Sequence, residues 1–340
     1  LEAFVERFPH LTDLPLPLIQ RSDMKQLNYI LLAVAGLLVI VQSCDYVEDP
    51  VVPQGSGNTE DCDTLFNFSN PQTSKKILVE EFTGHNCSNC PQAAHYLEEL
   101  YDTYGDDLIV VGVHPSIGAL TDPQSNPDGS YGTDWRIEEG QQLFTEYNMP
   151  GFIPIGMLGR TQNGSDYYHY HTTWNTGIPP LMGQTLDFSI QGASEYISSS
   201  DVVCTKVEIE ALNAYAGDVY LSAYLLEDSI VDYQKVAAGG EASGSVHPDY
   251  PAGDVANYIH RHVLRDVYGH VGIREGNSDG TGSIAGNLVA GNFSSGDIHQ
   301  YLISFDNLDP SWNTDHLEVV LFVYDDVTKE ILQAAKIKVN

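Results

Sequence analysis

Apolar and polar positions divide the sequence into a part where strand and helix patterns alternate and a later part made of strands. Residues 77–82 form an apolar run interrupted only by Glu80 and Glu81, which predicts a mostly buried strand. From 92 to 104, Ala93, Ala94, Leu97, Leu100, Tyr101 and Tyr104 recur at helical spacing. Residues 108–113 predict a second strand, and this β-α-β spacing implies a parallel pair with a right-handed crossover. Ile137, Leu143, Phe144 and Tyr147 mark a second helix over 135–147. A further strand is expected at 152–158 and a last short helix at 168–176.

Beyond residue 184 the period changes to two. Val207, Ile209 and Ala211 alternate with Lys206, Glu208 and Glu210. After a turn at 213–218, Val219, Leu221, Ala223 and Leu225 alternate again. The pattern predicts a half-buried antiparallel hairpin. Three more strands are expected at 301–305, 317–324 and 331–339, with a loop at 325–329 joining the last two. The Gly-, Ser- and Asn-rich stretch 276–296 reads as loops. Short strands with regular turn signals point to a β-sandwich, immunoglobulin-like in style.

The N-terminal stretch carries a targeting pattern. Met24 and Lys25 precede an apolar run over 30–41, followed by Gln42, Ser43 and Cys44. That run is too short to span a bilayer, which needs about 20 residues, and it fits a secretory signal. The cysteine after a small residue resembles a bacterial lipobox, so residues 24–43 read as a lipoprotein signal peptide and Cys44 as the lipidated first mature residue. Residues 1–23 read as an upstream extension. Residues 44–74, polar with Pro50, Pro53 and Gly55-Ser56-Gly57, read as a flexible tether. The remainder divides into an α/β domain at 75–183 and an all-β domain at 184–340.

Composition narrows the function. The 340 residues carry 15 basic and 47 acidic side chains, a formal net charge of −32. Such a chain repels nucleic-acid phosphates and anionic lipid surfaces, so no nucleic-acid partner is expected and the membrane is met only through the lipid anchor. Hydrophobic residues make up 42%, enough for true cores.

The chemistry concentrates at Cys87-Ser88-Asn89-Cys90-Pro91, between the first strand and the first helix. Two cysteines three apart can close a disulfide. The helix N-terminus stabilises a Cys87 thiolate, with Cys90 one turn inward as the resolving thiol. Strand, C-x-x-C, proline and helix resemble a thioredoxin-fold active site. The resemblance implies that Glu81 is a buried acid that moves protons. It also implies that Pro154 is a cis-proline facing the cysteines, with the Ile153 backbone free to pair with a substrate strand. The sequence departs from that family in Ser88-Asn89 between the cysteines, in lacking a tryptophan before Cys87, and in a polar insertion near 121–134. Over nearly the whole mature length, Val79-Glu80-Glu81-Phe82-Thr83-Gly84-His85-Asn86-Cys87-Ser88-Asn89-Cys90-Pro91 and Tyr258-Ile259-His260-Arg261-His262-Val263-Leu264-Arg265 resemble the outer membrane protein 28 related lipoproteins of Bacteroidetes. That resemblance implies anchoring at the outer membrane, periplasmic or surface-exposed, and supplies no established reaction.

Two readings remain open. In one, the chain is a thiol–disulfide oxidoreductase whose partners are the thiols or disulfides of exported proteins. In the other it is a non-catalytic binding or structural lipoprotein with an envelope partner, and Cys87–Cys90 is a staple. Solvent reach separates them: an exposed Cys87 beside a groove at Pro154 fits exchange, a pair capped by the insertion fits the staple. Cys62 and Cys204, left over, can pair with each other in an oxidising compartment. No metal site is expected. His85, His95 and His114 lack ligand-motif spacing; the pairs His169 and His171 and His260 and His262 can share a strand face and bind metal, but such histidines are more often packed or solvated; and the acidic pairs at 106–107 and 325–326 sit in no EF-hand pattern. No nucleotide, flavin or haem motif is present, so no cofactor is expected.

Overall fold

The computed structural model describes Cys62 and residues 68–239, 245–268 and 287–340. The upstream extension, the signal peptide, Cys44 and the tether up to residue 67, apart from Cys62, lie outside the described residues. So does the 276–286 part of the expected loop. The fold is mostly β, with several sheets and three α-helices among the described residues.

Strand β1, Ile77–Phe82, is buried along its whole length. Helix α1, Cys90–Tyr104, starts with proline in its first turn, buries Ala93, Leu97 and Leu100, and stops where Gly105 takes a positive φ of 55°. It returns the chain to β2, Leu108–Val113, which lies parallel to β1 with Ile77 opposite Leu108. Helix α2, Glu138–Glu146, leads to β3, Ile155–Leu158, antiparallel to β1. β4, Tyr168–Tyr170, pairs with β3 and precedes α3, Trp174–Met182. The helix expected over 168–176 is therefore a strand followed by a later helix. Tyr168 to Tyr170 are taken up by the open edge of β3. Helix begins only at Trp174, whose ring fills the space over Gly156, where a Cβ would lie 2.9 Å from it.

The strands after α3 form two packed layers. β5 (Phe188–Ile197), β6 (Val202–Ala211) and β12 (Ile298–Phe305) make an antiparallel sheet of order β12-β6-β5. β7 (Tyr215–Glu227), β10 (Val263–Tyr268), β11 (Asn287–Phe293), β13 (Leu317–Asp325) and β14 (Ile331–Lys338) belong to the larger sheet. Phe188, Ile190, Val207 and Ile209 meet Val219, Leu221, Val319 and Leu321 between the layers. The hairpin expected from 206–211 and 219–225 does not form. β6 pairs with β5 and β12, whereas β7 pairs with β10, β11 and β13, so the turn between them carries the chain from one layer to the other. β7 is buried on both faces from Leu221 to Glu227, which a period-two reading of one face cannot reveal. Residues 287–293, expected as loop, form β11 along β7. The 325–329 stretch is the turn between β13 and β14, where the Asp325 carboxylate accepts the Val327 and Thr328 N–H groups at 2.9 and 2.7 Å.

One sheet runs through both parts, in the order β14-β13-β7-β10-β2-β1-β3-β4 with β11 beside β7. The join is the parallel contact of β10 with β2. There Gly112 N–H donates to the His262 carbonyl at 2.8 Å, and a Cβ on Gly112 would lie 3.3 Å from the Arg261 carbonyl. A shared core follows: Leu78, Phe82, Phe144 and Ile155 pack with Tyr224, Leu226, Val320 and Phe322. Through that core runs an ion pair. Arg160 donates to both Glu80 oxygens at 2.9 and 2.7 Å and to the Tyr224 hydroxyl at 2.7 Å, and Tyr224 donates to Glu80 at 2.6 Å. The guanidinium also lies over the rings of Tyr147, Phe322 and Tyr324.

The third sheet is the hairpin of β8 (Ile230–Val236) and β9 (Gly253–His260), bulged between Asp232 and Gln234. Residues 237–252 connect its strands.

Candidate functional site

The loop after β1 is shaped by consecutive turns. Thr83 N–H donates to Val113 O, Cys87 N–H to Gly84 O at 3.1 Å, and Cys90 N–H to Cys87 O at 3.1 Å. Gly84 is needed there, because a Cβ would meet the Leu120 carbonyl at 2.5 Å. Cys87 and Cys90 form a disulfide with Cα atoms 5.4 Å apart. α1 begins at Cys90, so this cysteine opens the helix instead of lying one turn inside it, and Cys87 sits in the turn before it. The cause is the Cys87–Cys90 turn: it spends the first N–H of the helix on the Cys87 carbonyl.

The Ile153–Pro154 peptide bond is cis, and the Ile153 carbonyl oxygen lies 3.8 Å from Cys87 Sγ. Chain segments 66 residues apart thus place a backbone acceptor against the sulfur. Beside it Phe152 is exposed, with the Tyr170 ring stacked on it at 5.8 Å, next to the edge strand β4.

Glu81 is buried, and its Oε1 has no hydrogen-bond partner. Burial pushes its carboxyl up to about 8, against a smaller lowering by the Thr83 hydroxyl. The folded protein therefore keeps a proton that the unfolded chain, at the ordinary value of 4.5, has lost between those values. The resulting stability is complete below about pH 4 and is lost as pH rises toward 8. Thermal unfolding from pH 5 to pH 9 is expected to show a smaller loss for Glu81→Gln than for wild type. Equal losses would remove Glu81 from this role.

Cys87 is only 3% exposed and Cys90 2%. The cover comes from β8. Lys235 N–H donates to His85 O at 2.9 Å and Ala237 N–H to Ser88 O at 2.7 Å, a strand-like pairing with the cysteine loop. The buried Gln234 amide donates to the carbonyls of Gly84, Cys87 and Lys235 at 3.3, 3.1 and 2.9 Å. The bulge beside Gln234 interrupts the β8–β9 register at the point where β8 meets the loop. From the other side, Asn86 N–H and Nδ2 donate to Leu120 O and Ala119 O at 3.1 and 2.8 Å. The 121–134 insertion braces the cover: the Tyr131 hydroxyl donates to Asp254 at 2.8 Å, and Thr133 donates to Asp232. Sequence reasoning missed Gln234 and Lys235, since a polar pair in an alternating strand carries no sign of what it faces.

The remaining residues singled out by sequence are dispersed. Cys62 and Cys204 are joined in a second disulfide, Cα atoms 5.7 Å apart, beside Val202 and Leu302. His260 packs on Trp135 at 4.5 Å, and burial lowers its pKa to about 4, so it is neutral at pH 7. His262 lies 3.3 Å from both Asp228 and Glu318. His171 is 3.3 Å from Gln92, and the His169 imidazole is held below its usual pKa by burial. His114 is buried, stacked on Trp135, and held well below its usual pKa by burial. Among the described residues no helix is long and apolar enough to cross a membrane.

No family model matches the chain, and no curated protein matches it. Solved structures do. HBP35 of Porphyromonas gingivalis is 16% identical, with 79% of this chain and 77% of that one covered and a TM-score of 0.53. A protein from Agrobacterium tumefaciens, AGR_C_4864, is 13% identical over 78% of this chain and 95% of its own, with a TM-score of 0.42. A domain of the outer membrane lipoprotein Omp28 from Porphyromonas gingivalis is 18% identical over 46% of this chain and 91% of its own, with a TM-score of 0.26. The likeness to HBP35 shows a shared fold.

Proposed function

We propose that the chain is a lipid-anchored cell-envelope protein, akin to the outer membrane protein 28 related lipoproteins of Bacteroidetes. Its thioredoxin-like half exchanges disulfides with exported proteins, and the β8–β9 hairpin of its β-rich half covers the site. The lipobox-like end of the leader supports the anchor. The element order β1-α1-β2-α2-β3-β4-α3, with strands in the order β2-β1-β3-β4, supports the thioredoxin-like assignment. The observation that carries the chemistry is the Ile153 carbonyl oxygen held 3.8 Å from Cys87 Sγ.

Starting from the observed disulfide, a substrate thiolate attacks Cys87 Sγ. The Cys87–Cys90 bond breaks and Cys90 leaves as a thiolate, stabilised at the N-terminus of α1. The mixed disulfide at Cys87 is then attacked by a second substrate thiolate. The substrate gains a disulfide, and Cys87 and Cys90 end as two thiols, a two-electron reduction. Glu81 gives and takes the protons, and the Ile153 backbone holds the substrate strand.

The other reading, a non-catalytic binding or structural lipoprotein, draws support from the burial of Cys87 at 3% exposure, the outcome that the solvent-reach criterion assigns to a staple. Magnitudes count against a staple. A bond closing a loop of three residues constrains the unfolded chain by only about 2 kcal/mol, whereas one spanning 142 residues gives about 5. Cys62–Cys204 is the better staple.

Mixed-disulfide trapping tests the proposal. Cys90→Ser, reduced and mixed with a disulfide-bonded peptide, is expected to hold one peptide per chain at Cys87 by mass spectrometry. Trapping only after the protein is unfolded would favour the staple.

A further inference from the structure

Outside the disulfide site, His95 and Glu98 lie one turn apart on α1, and His247 comes down on them from the connection between β8 and β9. We propose that His95, Glu98 and His247 form a binding site for a zinc-type divalent cation, clamping the segment around His247 onto the helix that Cys90 opens.

The geometry is close to that of a loaded site. Glu98 Oε2 lies 3.7 Å from His95 Nδ1 and 3.6 Å from His247 Nε2, and the ligand atoms all fall within 4.8 Å of one another. Ligands at about 2.0–2.2 Å from one tetrahedral zinc lie about 3.4 Å apart. Small movements of the three side chains and of the turn at Asp249 therefore close the site.

One of the two imidazole donors is ready as it stands. His95 Nδ1 is buried and has no hydrogen-bond partner. The other ring nitrogen, Nε2, faces Glu99 Oε1 at 3.6 Å, an ion-pair distance longer than a hydrogen bond. His247 is 1% exposed, with its Nε2 3.6 Å from Glu98 Oε2. Its Nδ1 accepts the Asp249 N–H at 3.2 Å. Loading Nε2 moves the ring proton to Nδ1, releases none, and requires the exposed Asp249 turn to rotate away. Glu98, 48% exposed, leaves a fourth position open to water. Two imidazoles and one carboxylate select a borderline cation over calcium or magnesium, which take oxygen ligands.

The test is calorimetric titration of the metal-stripped full chain with zinc chloride, with cobalt(II) absorption as a second readout. Wild type is expected to bind one zinc at this site and to give the intense visible bands of four-coordinate cobalt. His247→Ala, His95→Ala and Glu98→Gln are each expected to weaken binding at least about tenfold and to abolish those bands. Glu98→Gln changes a half-exposed helix position, so it keeps the proposal testable if a histidine variant misfolds. Absence of saturable zinc binding, or wild-type affinity in Glu98→Gln and His247→Ala, would overturn the assignment.

Discussion

Glu80→Ala is expected to lower the unfolding free energy by about 3–5 kcal/mol. The Arg160 guanidinium is 1% exposed and spends two of its donors on Glu80, with Tyr224 completing the triangle. Removing the carboxylate strands a buried cation and takes the acceptor from the Tyr224 hydroxyl. The aromatic rings around Arg160 return only a part of that loss. Because Glu80 stands on β1 and Tyr224 on β7, the loss falls on the core that the two parts of the chain share. Urea unfolding followed by tryptophan fluorescence measures it. A loss below about 1 kcal/mol, in the range of exposed pairs, would mean that water reaches Arg160 and that the network does not hold the parts together.

Gln234→Ala is expected to speed reduction of Cys87–Cys90 by dithiothreitol about 5- to 150-fold. The two N–H groups of the amide reach three carbonyls, and the two contacts to the cysteine loop are buried. Losing those two bonds, at about 0.5–1.5 kcal/mol each, costs the closed state about 1–3 kcal/mol, or roughly a 5- to 150-fold shift toward opening, while the Gly84 and Cys87 carbonyls keep the Cys87 and Cys90 N–H groups. Lys235→Pro, which deletes the N–H donated to His85 O, should act in the same direction. Time-resolved alkylation with mass spectrometry reads both, with Cys62–Cys204 as the internal control. An unchanged rate in both variants would mean that reductant enters without lifting β8.

The local chemistry was the most legible part of the sequence. The run 77–82, the helix after it and the strand at 108–113 each form, because their apolar periods match single elements packed on one core. Partners at long range were not legible. The alternation in 206–211 and 219–225 marks buried faces correctly, yet β6 and β7 lie in different layers, since alternation gives the face of a strand and not its neighbour. Tyr168 and Tyr170 suit an edge strand as well as a helix, and only the presence of β3 decides. The cover was hidden for the same reason. Gln234 acts through backbone carbonyls about 150 residues earlier, a contact set by the bulge in β8 and by the turns at 84–90. The Ile153–Pro154 bond is cis, with its carbonyl against Cys87 Sγ.

The most direct test of a covered exchange site is the equilibrium reduction potential of Cys87–Cys90 in glutathione buffers, read from trapped thiols by mass spectrometry. A covered exchange site is expected to show a value between about −270 and −120 mV, the range of working oxidoreductases, with Cys87 the thiol that reacts first. A value well below about −300 mV, with Cys87 unreactive until the protein unfolds, would contradict it and make the pair a structural bond.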